Sequence, residues 1–284
     1  MDKKQFIEIQ RQDWNRVAPA WEKWDEKLSR NMSFVNHRLI ADARLRPGYR
    51  VLDLGCGTGY PAILAAQAVE GQGSVVGLDL SEEMLTVARR KANALGLSNV
   101  EFRAEDATTL PFETASFDSV ISRFCLMFLP EIPLTVSEIS RVLKPGGYFA
   151  AAVWSSPDKN PYIRIPMDVI KKFVEIPVPA PDQPGIFRLA REGDLLGIAA
   201  KSGLTKIADE DVRGESFFDS SDEYFESLME MAAPLQPLFA KLSSTQKNDA
   251  KNEIKSAVDK YQKGNEIALP MTIRIVVARK PDCG

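Results

Sequence analysis

The feature that most constrains the fold is a stretch of nine residues, Val51–Gly59, with the sequence V-L-D-L-G-C-G-T-G. Its first four residues favour a β-strand, and the Ala/Leu-rich pattern from Pro61 to Val69 predicts a helix directly after the three glycines. Glycine allows a positive φ and the close approach of a ligand, which the free N–H groups of the helix start would face. The stretch therefore predicts a strand, a tight turn and a helix that bind a nucleotide-like molecule.

The glycine spacing and one acidic residue indicate which nucleotide is bound. The spacing is G-x-G-x-G, whereas dinucleotide-binding turns have G-x-G-x-x-G. Asp53 lies two residues before Gly55, where a carboxylate repels a diphosphate and attracts a positively charged ligand. These features favour S-adenosylmethionine (SAM), which carries an ammonium and a sulfonium, over NAD. A glycine-rich loop with a purely structural role is the alternative at this point.

Composition narrows the class of partner. Of the 284 residues, 44% are hydrophobic and 26% are charged, so the chain can bury a large α/β core. The net charge of -3 and the absence of a Lys/Arg block argue against nucleic acid as a partner. A small or neutral acceptor is favoured.

Neither a signal peptide nor a membrane span is expected. The longest apolar run, Phe149–Trp154, is too short to cross a bilayer, so we predict no stable membrane association. The three cysteines, Cys56, Cys125 and Cys283, are odd in number and show no C-x-x-C spacing. This usage favours a cytoplasmic location without a zinc site.

Residues 1–46 are predicted to form helices that act as a lid. Trp14, Trp21 and Trp24 recur at helical spacing, and a second helix is predicted to begin near Ser33. Such an aromatic stripe can simply pack against the main domain. It can also cover a bound sulfonium, where a cation over an indole ring gains on the order of 1 kcal/mol. The two interpretations are compatible, and we assign Trp24 to the cofactor.

Strand and helix patterns alternate from residue 47 to 154 in the rhythm of a parallel sheet. The second strand, Ser74–Asp79, ends in an acid 20 residues after Gly59. A carboxylate at that position can accept hydrogen bonds from both hydroxyls of a ribose. The next predicted strands are Val100–Arg103, Phe117–Ser122 and Tyr148–Trp154.

Five separated motifs support a family resemblance. They are the turn at 51–59, Asp79, E-D-A at 105–107, Phe117-Asp118, and R-V-L-K-P-G-G at 141–147. In order and spacing they resemble the class I SAM-dependent methyltransferases, most of all the branch around ubiquinone and menaquinone biosynthesis. The resemblance implies an α/β fold with a Rossmann-like, mostly parallel sheet of seven strands, helices on both faces, an antiparallel last strand and a helical cap.

The resemblance also implies which residues bind SAM. Asp53, Gly55 and Gly57 would surround the methionine moiety, and Asp79 would hold the ribose. The other expected contacts complete the glycine turn, close the methionine end or pack around the adenine: Cys56, Gly59, Ser122, Arg123, Leu80, Met84, Asp106 and Ala107.

The resemblance weakens after Trp154. Residues 155–284 are predicted to form cap insertions together with the last two strands of the sheet, Thr205–Arg213 and Met271–Lys280. The chain would thus divide into a lid (1–46), a SAM-binding core (47–154) and this C-terminal part. The predicted cap helices are 162–174, 191–202 and three amphipathic segments between 220 and 263.

The chemistry of a sulfonium limits what the protein must supply. The methyl group is already activated, so alignment and exclusion of water suffice. A general base is needed only if the acceptor loses a proton. The single histidine, His37, is the candidate base, and a helix-surface position without a chemical role is the alternative. One histidine and no cluster of residues at ligand spacing predict that no metal is bound.

The leading prediction is methyl transfer to a small, hydrophobic or ring-containing molecule. Methylation of a macromolecule, a nicotinamide-dependent oxidoreductase and a SAM-binding protein without catalysis are the alternatives. The segment Ser122–Cys125 lacks the Asn/Asp-Pro-Pro-aromatic sequence used to methylate the amino groups of DNA bases. The sequence specifies neither the oligomeric state nor which acceptor atom is methylated. The expected wall of the acceptor site is apolar and aromatic: Trp21, Trp24, Phe124, Met127 and Phe128.

Overall fold

A computed structural model describes residues 3–176 and 183–282. The helices are α1 Lys3–Lys23, α2 Asp25–Asn31, α3 Ser33–Asp42, α4 Tyr60–Val69, α5 Glu82–Ala94, α6 Ile132–Val142, α7 Pro161–Ile170, α8 Asp194–Lys201, α9 Ser221–Met231, α10 Gln236–Ala240 and α11 Ser244–Val258. The strands are β1 Arg50–Leu54, β2 Ser74–Asp79, β3 Val100–Ala104, β4 Phe117–Arg123, β5 Leu143–Trp154, β6 Thr205–Phe218, β7 Gln262–Lys263 and β8 Glu266–Arg279.

The strands form one mixed sheet in the order β3-β2-β1-β4-β5-β8-β6, with the two-residue β7 paired to β8. Strands β1 to β5 pair in parallel, whereas β8 is antiparallel to both of its neighbours, β5 and β6. This arrangement confirms the predicted Rossmann-like sheet and its antiparallel last strand. Because the order reverses beside β1, the carboxyl ends of β1, β2 and β4 border one crevice.

The central strands are buried on both faces, which explains their continuous apolar sequences. In β1, Val51, Leu52 and Leu54 are completely buried, between helices that cover the two faces of the sheet. Helix α5 begins at the N-cap Ser81, whose hydroxyl accepts a hydrogen bond from the Met84 N–H. That cap fixes the start of α5 directly after the end of β2.

Three strands are longer than their sequences predict. Strand β5 begins at Leu143 and includes the predicted turn, with a register shift against β4. Strands β6 and β8 stay paired as antiparallel neighbours beyond the end of β5, because β6 continues to Phe218 and β8 begins at Glu266. The sequence predicts that β6 ends before Gly214, but this glycine lies within the strand. The position requires glycine because the Phe34 ring lies 2.4 Å from an ideal Cβ there.

The part of β6 and β8 that extends beyond β5 contributes to a second apolar core. Phe218, Ile267 and Leu269 from β6 and β8 pack there with α7, α9 and α11. Helices α7 and α8 are shorter than predicted, at Pro161–Ile170 and Asp194–Lys201. The division into residues 1–46, 47–154 and 155–284 stays a prediction, and Cys283 lies outside the described residues.

The described helices were also compared with the length and apolarity that crossing a bilayer requires. Among residues 3–176 and 183–282, no helix meets both requirements.

The first and second glycines of the turn after β1 differ in how much they tolerate a side chain. Both have positive φ, but a Cβ on Gly55 would lie 2.3 Å from Cys125 Cβ, whereas a Cβ on Gly57 meets nothing within 4 Å. We expect Gly55→Ala to lower the free energy of unfolding by about 3 kcal/mol and Gly57→Ala by about 1 kcal/mol. Urea denaturation of the two variants measures the difference, and equal losses would contradict the steric argument.

Candidate functional site

A cleft of about 990 Å³, counting the space that opens to solvent, lies over the carboxyl ends of β1, β2 and β4. Its floor is the turn after β1, and its sides are the segments that follow β2, β3 and β4. Helix α1 covers it. The lining residues are Phe6, Ile7, Gln10, Trp14, Trp21, Gly55, Cys56, Gly57, Thr58, Leu78, Asp79, Leu80, Met84, Glu105, Asp106, Ala107, Arg123, Phe124, Cys125, Phe128, Leu129 and Pro130.

Asp79 joins the end of β2 to the glycine turn. Its Oδ2 accepts a hydrogen bond from the Gly57 N–H at 2.8 Å, and its Oδ1 accepts one from the Ser81 N–H at 2.9 Å. Burial raises the pKa of the Asp79 carboxyl, and these two N–H groups offset part of that effect. An ionised carboxylate has room for about four hydrogen bonds, so Asp79 can accept two more from a diol in the cleft.

A buried polar cluster lies beneath the inner end of the cleft, where β1, β4 and α3 meet. Asp53 and Asn36 are completely buried, and the Arg123 Nη1 donates to the Asn36 Oδ1 at 2.8 Å. Among the described residues, neither oxygen of Asp53 has a hydrogen-bond partner, and the Asn36 Nδ2 has none either. Such atoms are costly to bury alone, so the cluster is suited to a ligand that supplies both donors and acceptors.

Burial shifts the pKa values of the two charged residues in this cluster, Asp53 and Arg123, in the direction that favours their neutral forms. Burial raises the pKa of Asp53 to about 7, although the positive charge of Arg123 opposes the change. Burial also lowers the pKa of the Arg123 guanidinium, which Asp53 and Asp25 counteract. A nearby cation stabilises a buried, ionised carboxylate more than an exposed one, because water does not screen the attraction between the two charges.

Apolar contacts and one carboxylate line the side of the cleft formed by β2, β3 and α5. Met84 is buried against Val17 and Ala18 of α1. The carboxylate of Asp106 accepts from the N–H of Thr108 at 2.9 Å and from its hydroxyl at 2.5 Å, which fixes the loop after β3. Walls of this kind are suited to a flat ligand with apolar faces.

Helix α1 supplies the aromatic cover of the cleft. Trp14 packs edge-on against both Trp21 and Phe128, with ring centroids 6.1 Å and 5.8 Å apart. The Trp21 indole N–H donates to the Met231 carbonyl oxygen at 3.2 Å, which anchors the helix to α9. A cover of this kind excludes water from whatever binds below it.

Five of the predicted site residues do not line the cleft. The His37 imidazole is exposed on α3, with Nδ1 2.8 Å from the Ser33 carbonyl oxygen, so its assignment as the base is corrected. Trp24 lies in the break between α1 and α2, and its N–H donates to Glu230 at 2.7 Å, away from the cleft. The other three lie beneath the surface of the cleft or support it: Asp53, Gly59, which caps α4 with φ +85°, and Ser122, whose hydroxyl donates to the Leu54 carbonyl oxygen.

Nine predicted residues do line the cleft, and it brings together others that the sequence did not reveal. The nine are Gly55, Cys56, Gly57, Asp79, Leu80, Met84, Asp106, Ala107 and Arg123. Sequence reasoning missed Phe6, Ile7 and Gln10, because the register of α1 over the sheet depends on tertiary contacts. Met127, expected in the acceptor wall, is instead buried in the main core. For Asn36 the sequence offered one possible signal of a buried polar site, since its amide lies on an otherwise apolar face of the helix.

The thiols of the cleft are not poised as nucleophiles. Burial raises the pKa of Cys56 and of Cys125, and the charge of Asp79 raises both further. They are therefore protonated at neutral pH. In residues 3–176 and 183–282, no group of three or more His, Cys, Asp or Glu side chains is placed to hold a metal ion.

Comparison with known proteins relates this cleft to a family. Residues 45–174 match the model of a family described as a methyltransferase domain. The demethylmenaquinone methyltransferase of Symbiobacterium thermophilum is 35% identical over 158 residues, which cover 55% of this chain and 62% of that protein. The corresponding protein of Bacillus cereus is 38% identical over 157 residues, covering 52% of this chain and 66% of that protein.

The matched region spans less than two thirds of the length of these curated relatives. Among solved structures, a SAM-dependent methyltransferase from Aquifex aeolicus has a TM-score of 0.53 and 25% identity, over 68% of this chain and 92% of that one. These similarities confirm the resemblance and the Rossmann-like fold that the five motifs predict.

The buried carboxyl of Asp53 makes the stability of the ligand-free protein depend on pH. Its folded pKa of about 7 lies above the ordinary value of 3.8, so the folded state binds the proton more tightly than the unfolded state. Asp53 therefore lowers the free energy of unfolding as pH rises from about 4 to 7, by on the order of 4 kcal/mol in total. We expect Asp53→Asn to unfold at higher temperature than the unaltered protein at pH 8, and the advantage to shrink at pH 5. If the difference in unfolding temperature between the two proteins is the same at pH 5 and pH 8, the raised pKa of Asp53 is contradicted.

Proposed function

We propose that this chain is a SAM-dependent methyltransferase that acts on a small, hydrophobic or ring-containing molecule, because residues 45–174 match the model of a methyltransferase domain. The observation that carries the proposal is the presence of two carboxylates at this end of the sheet. Asp79 lies at the rim of the glycine turn, and Asp53 lies below it without a hydrogen-bond partner among the described residues. One carboxylate suits a ribose, and the other suits a cation.

The residues that line the cleft, together with Asp53 beneath it, support SAM as the cofactor. Asp79 would accept hydrogen bonds from the ribose hydroxyls, worth roughly 1.5 to 3 kcal/mol to a charged acceptor. Leu80, Met84 and Ala107 would pack on the adenine, beside Asp106. At the inner end, Asp53 favours the ammonium and Arg123 favours the carboxylate of the methionine moiety.

Bound SAM would supply an activated methyl group, and the protein would align the acceptor and exclude water. No side chain is proposed as a base, because His37 is exposed on α3 and both cleft thiols are held protonated. We propose that the reaction needs no metal, since a sulfonium requires no Lewis acid.

The acceptor would bind beside the segment that follows β4. Phe124, Phe128 and Leu129 make this part of the cleft apolar, which favours a hydrophobic or ring-containing acceptor over a short polar one. The relatives named for demethylmenaquinone are consistent with that class. The net charge of -3 argues against nucleic acid, and the free thiols Cys56 and Cys125 are consistent with a reducing cytoplasm.

We further propose that the lid predicted for residues 1–46 covers the cleft through its helices α1 and α2. Ion pairs hold the lid on two sides, and the lid contributes the acids on one side and the bases on the other. Its acids pair with bases of α5, Glu22 with Arg90 and Asp25 with Lys91. Its bases pair with acids of α9 and the preceding turn: Lys23 with Glu226 and Glu230, and Lys27 with Asp219 and Glu223.

Binding of SAM through Asp79 tests the proposed cofactor. We expect Asp79→Ala to weaken the binding of SAM and of its product, S-adenosylhomocysteine, at least tenfold in calorimetry, because two hydrogen bonds to a charged acceptor are lost. Asp168→Ala, at an ion-paired acid on the exposed side of α7, is the matched control and should bind both compounds normally. Equal affinity of the two variants would remove Asp79 from the site, and preferential binding of NADH would refute the proposed function.

The lid predicts slow release of the bound product. We expect Trp14→Ala to accelerate the dissociation of S-adenosylhomocysteine about tenfold in stopped-flow measurements, because the ring contacts to Trp21 and Phe128 are lost. The control is Ile9→Ala, at an exposed position on the same helix, which should leave the rate unchanged. If both variants release the product at the unaltered rate, α1 is not a lid.

A further inference from the structure

Asn36 is a buried amide on the apolar face of α3. It is completely buried, as are Val35 and Leu39 on the same helix. A buried amide is costly unless its donor and its acceptor both find partners. In Asn36 the Oδ1 accepts from the Arg123 Nη1 at 2.8 Å, but the Nδ2 has no partner among the described residues. The amide is therefore only half satisfied, and by a side chain that lines the cleft.

Two other buried asparagines show how a structural amide bonds in this fold. The amide of Asn31 bonds at both ends to the backbone of Phe217, with its Oδ1 3.0 Å from the N–H nitrogen and its Nδ2 3.2 Å from the carbonyl oxygen. The amide of Asn160 bonds at both ends to the backbone of Thr272, at 2.9 Å and 3.0 Å. Asn36 differs from both, because its acceptor holds a charged side chain and its donor is unused.

The Arg123 guanidinium reaches the cleft without a bonded counter-charge. In the described part of the chain, the bond to Asn36 is the only hydrogen bond that the guanidinium makes, and no carboxylate forms an ion pair with it. Asp53 and Asp25 act on its charge only from a longer range. A guanidinium has five N–H donors, so most of them remain for a ligand. Because an amide is neutral, it fixes the direction of the guanidinium without neutralising its charge, whereas a carboxylate in the same place would do both.

We infer that Asn36 is a positioning residue that holds the Arg123 guanidinium with a neutral acceptor, and thereby makes the inner end of the cleft selective for a carboxylate on the ligand. The inference rests on the proposed function and names a residue that decides which ligands this end of the site admits. A ligand without a carboxylate gains nothing from this arrangement. A negative charge placed at Asn36 should therefore remove the preference for a carboxylate.

The test compares S-adenosylhomocysteine with 5′-(3-aminopropylthio)-5′-deoxyadenosine, an amine analogue that keeps the ammonium but lacks the carboxylate. Their affinities are measured by calorimetry on the full-length protein at about pH 8. We expect the unaltered protein to bind S-adenosylhomocysteine at least tenfold more tightly, because only this ligand can pair with Arg123. In Asn36→Asp, which keeps the shape and the acceptor, the binding of S-adenosylhomocysteine should weaken at least tenfold. The amine analogue should bind to this variant as tightly as before or more tightly.

The control is Asn31→Asp, the same substitution at a buried amide that bonds to the backbone instead of to Arg123. It should keep the preference for S-adenosylhomocysteine. If Asn36 had only a structural role, Asn36→Asp would keep the preference as well, because aspartate has the same shape. A preference that survives in Asn36→Asp, or one that is lost in Asn31→Asp too, would overturn the inference. Equal affinities in the unaltered protein would also overturn it, and that comparison stands even if Asn36→Asp does not fold.

Binding to the unaltered protein separates the two proposals. If neither S-adenosylhomocysteine nor the amine analogue binds, the proposed function fails and the inference about Asn36 fails with it. If S-adenosylhomocysteine binds but its preference over the amine analogue does not depend on Asn36, only the inference about Asn36 fails.

Discussion

The structure depends on a lack of space around the turn after β1. A Cβ on Gly55 would collide with Cys125, one on Gly59 would lie 2.7 Å from Ala88 Cβ, and one on Gly77 would lie 2.8 Å from the Phe102 ring. The backbone of the turn therefore packs directly against the segment after β4 and against α5, and the backbone of β2 beside it packs against the Phe102 ring of β3. Because three neighbours meet here without intervening side chains, the polar groups at the ends of β1, β2 and β4 come within reach of one ligand.

Sequence patterns predict this region well because its determinants are local. Glycine spacing, an acid at the end of a strand and a cap residue each act within a few positions, so Gly57, Asp79 and the start of α5 follow from the sequence. The orientation of Asp53 does not, because β1 is buried on both faces and offers no alternation to interpret. Its lack of partners is visible only once β1, β4 and α3 are assembled.

The helical lid shows where periodicity fails. The tryptophan stripe assumes one continuous helix, but α1 ends at Lys23 and α2 begins at Asp25. The break at Trp24 turns its indole towards Glu230, whereas Trp14 and Trp21 keep the expected phase over the cleft. In the same way His37 lies on the outer face of α3 while Asn36, its neighbour, points inward. One residue of helical phase, about 100°, separates a surface side chain from a buried one.

The long antiparallel pair formed by β6 and β8 contributes residues to both apolar cores. The two cap segments, 155–204 and 219–265, each leave the sheet and return to it through strands of the same edge. Their length and sequence can therefore change without altering the register of β1 to β5. Selection, or an engineer, can exchange these two segments while β1 to β5 and the turns that line the cleft are inherited intact.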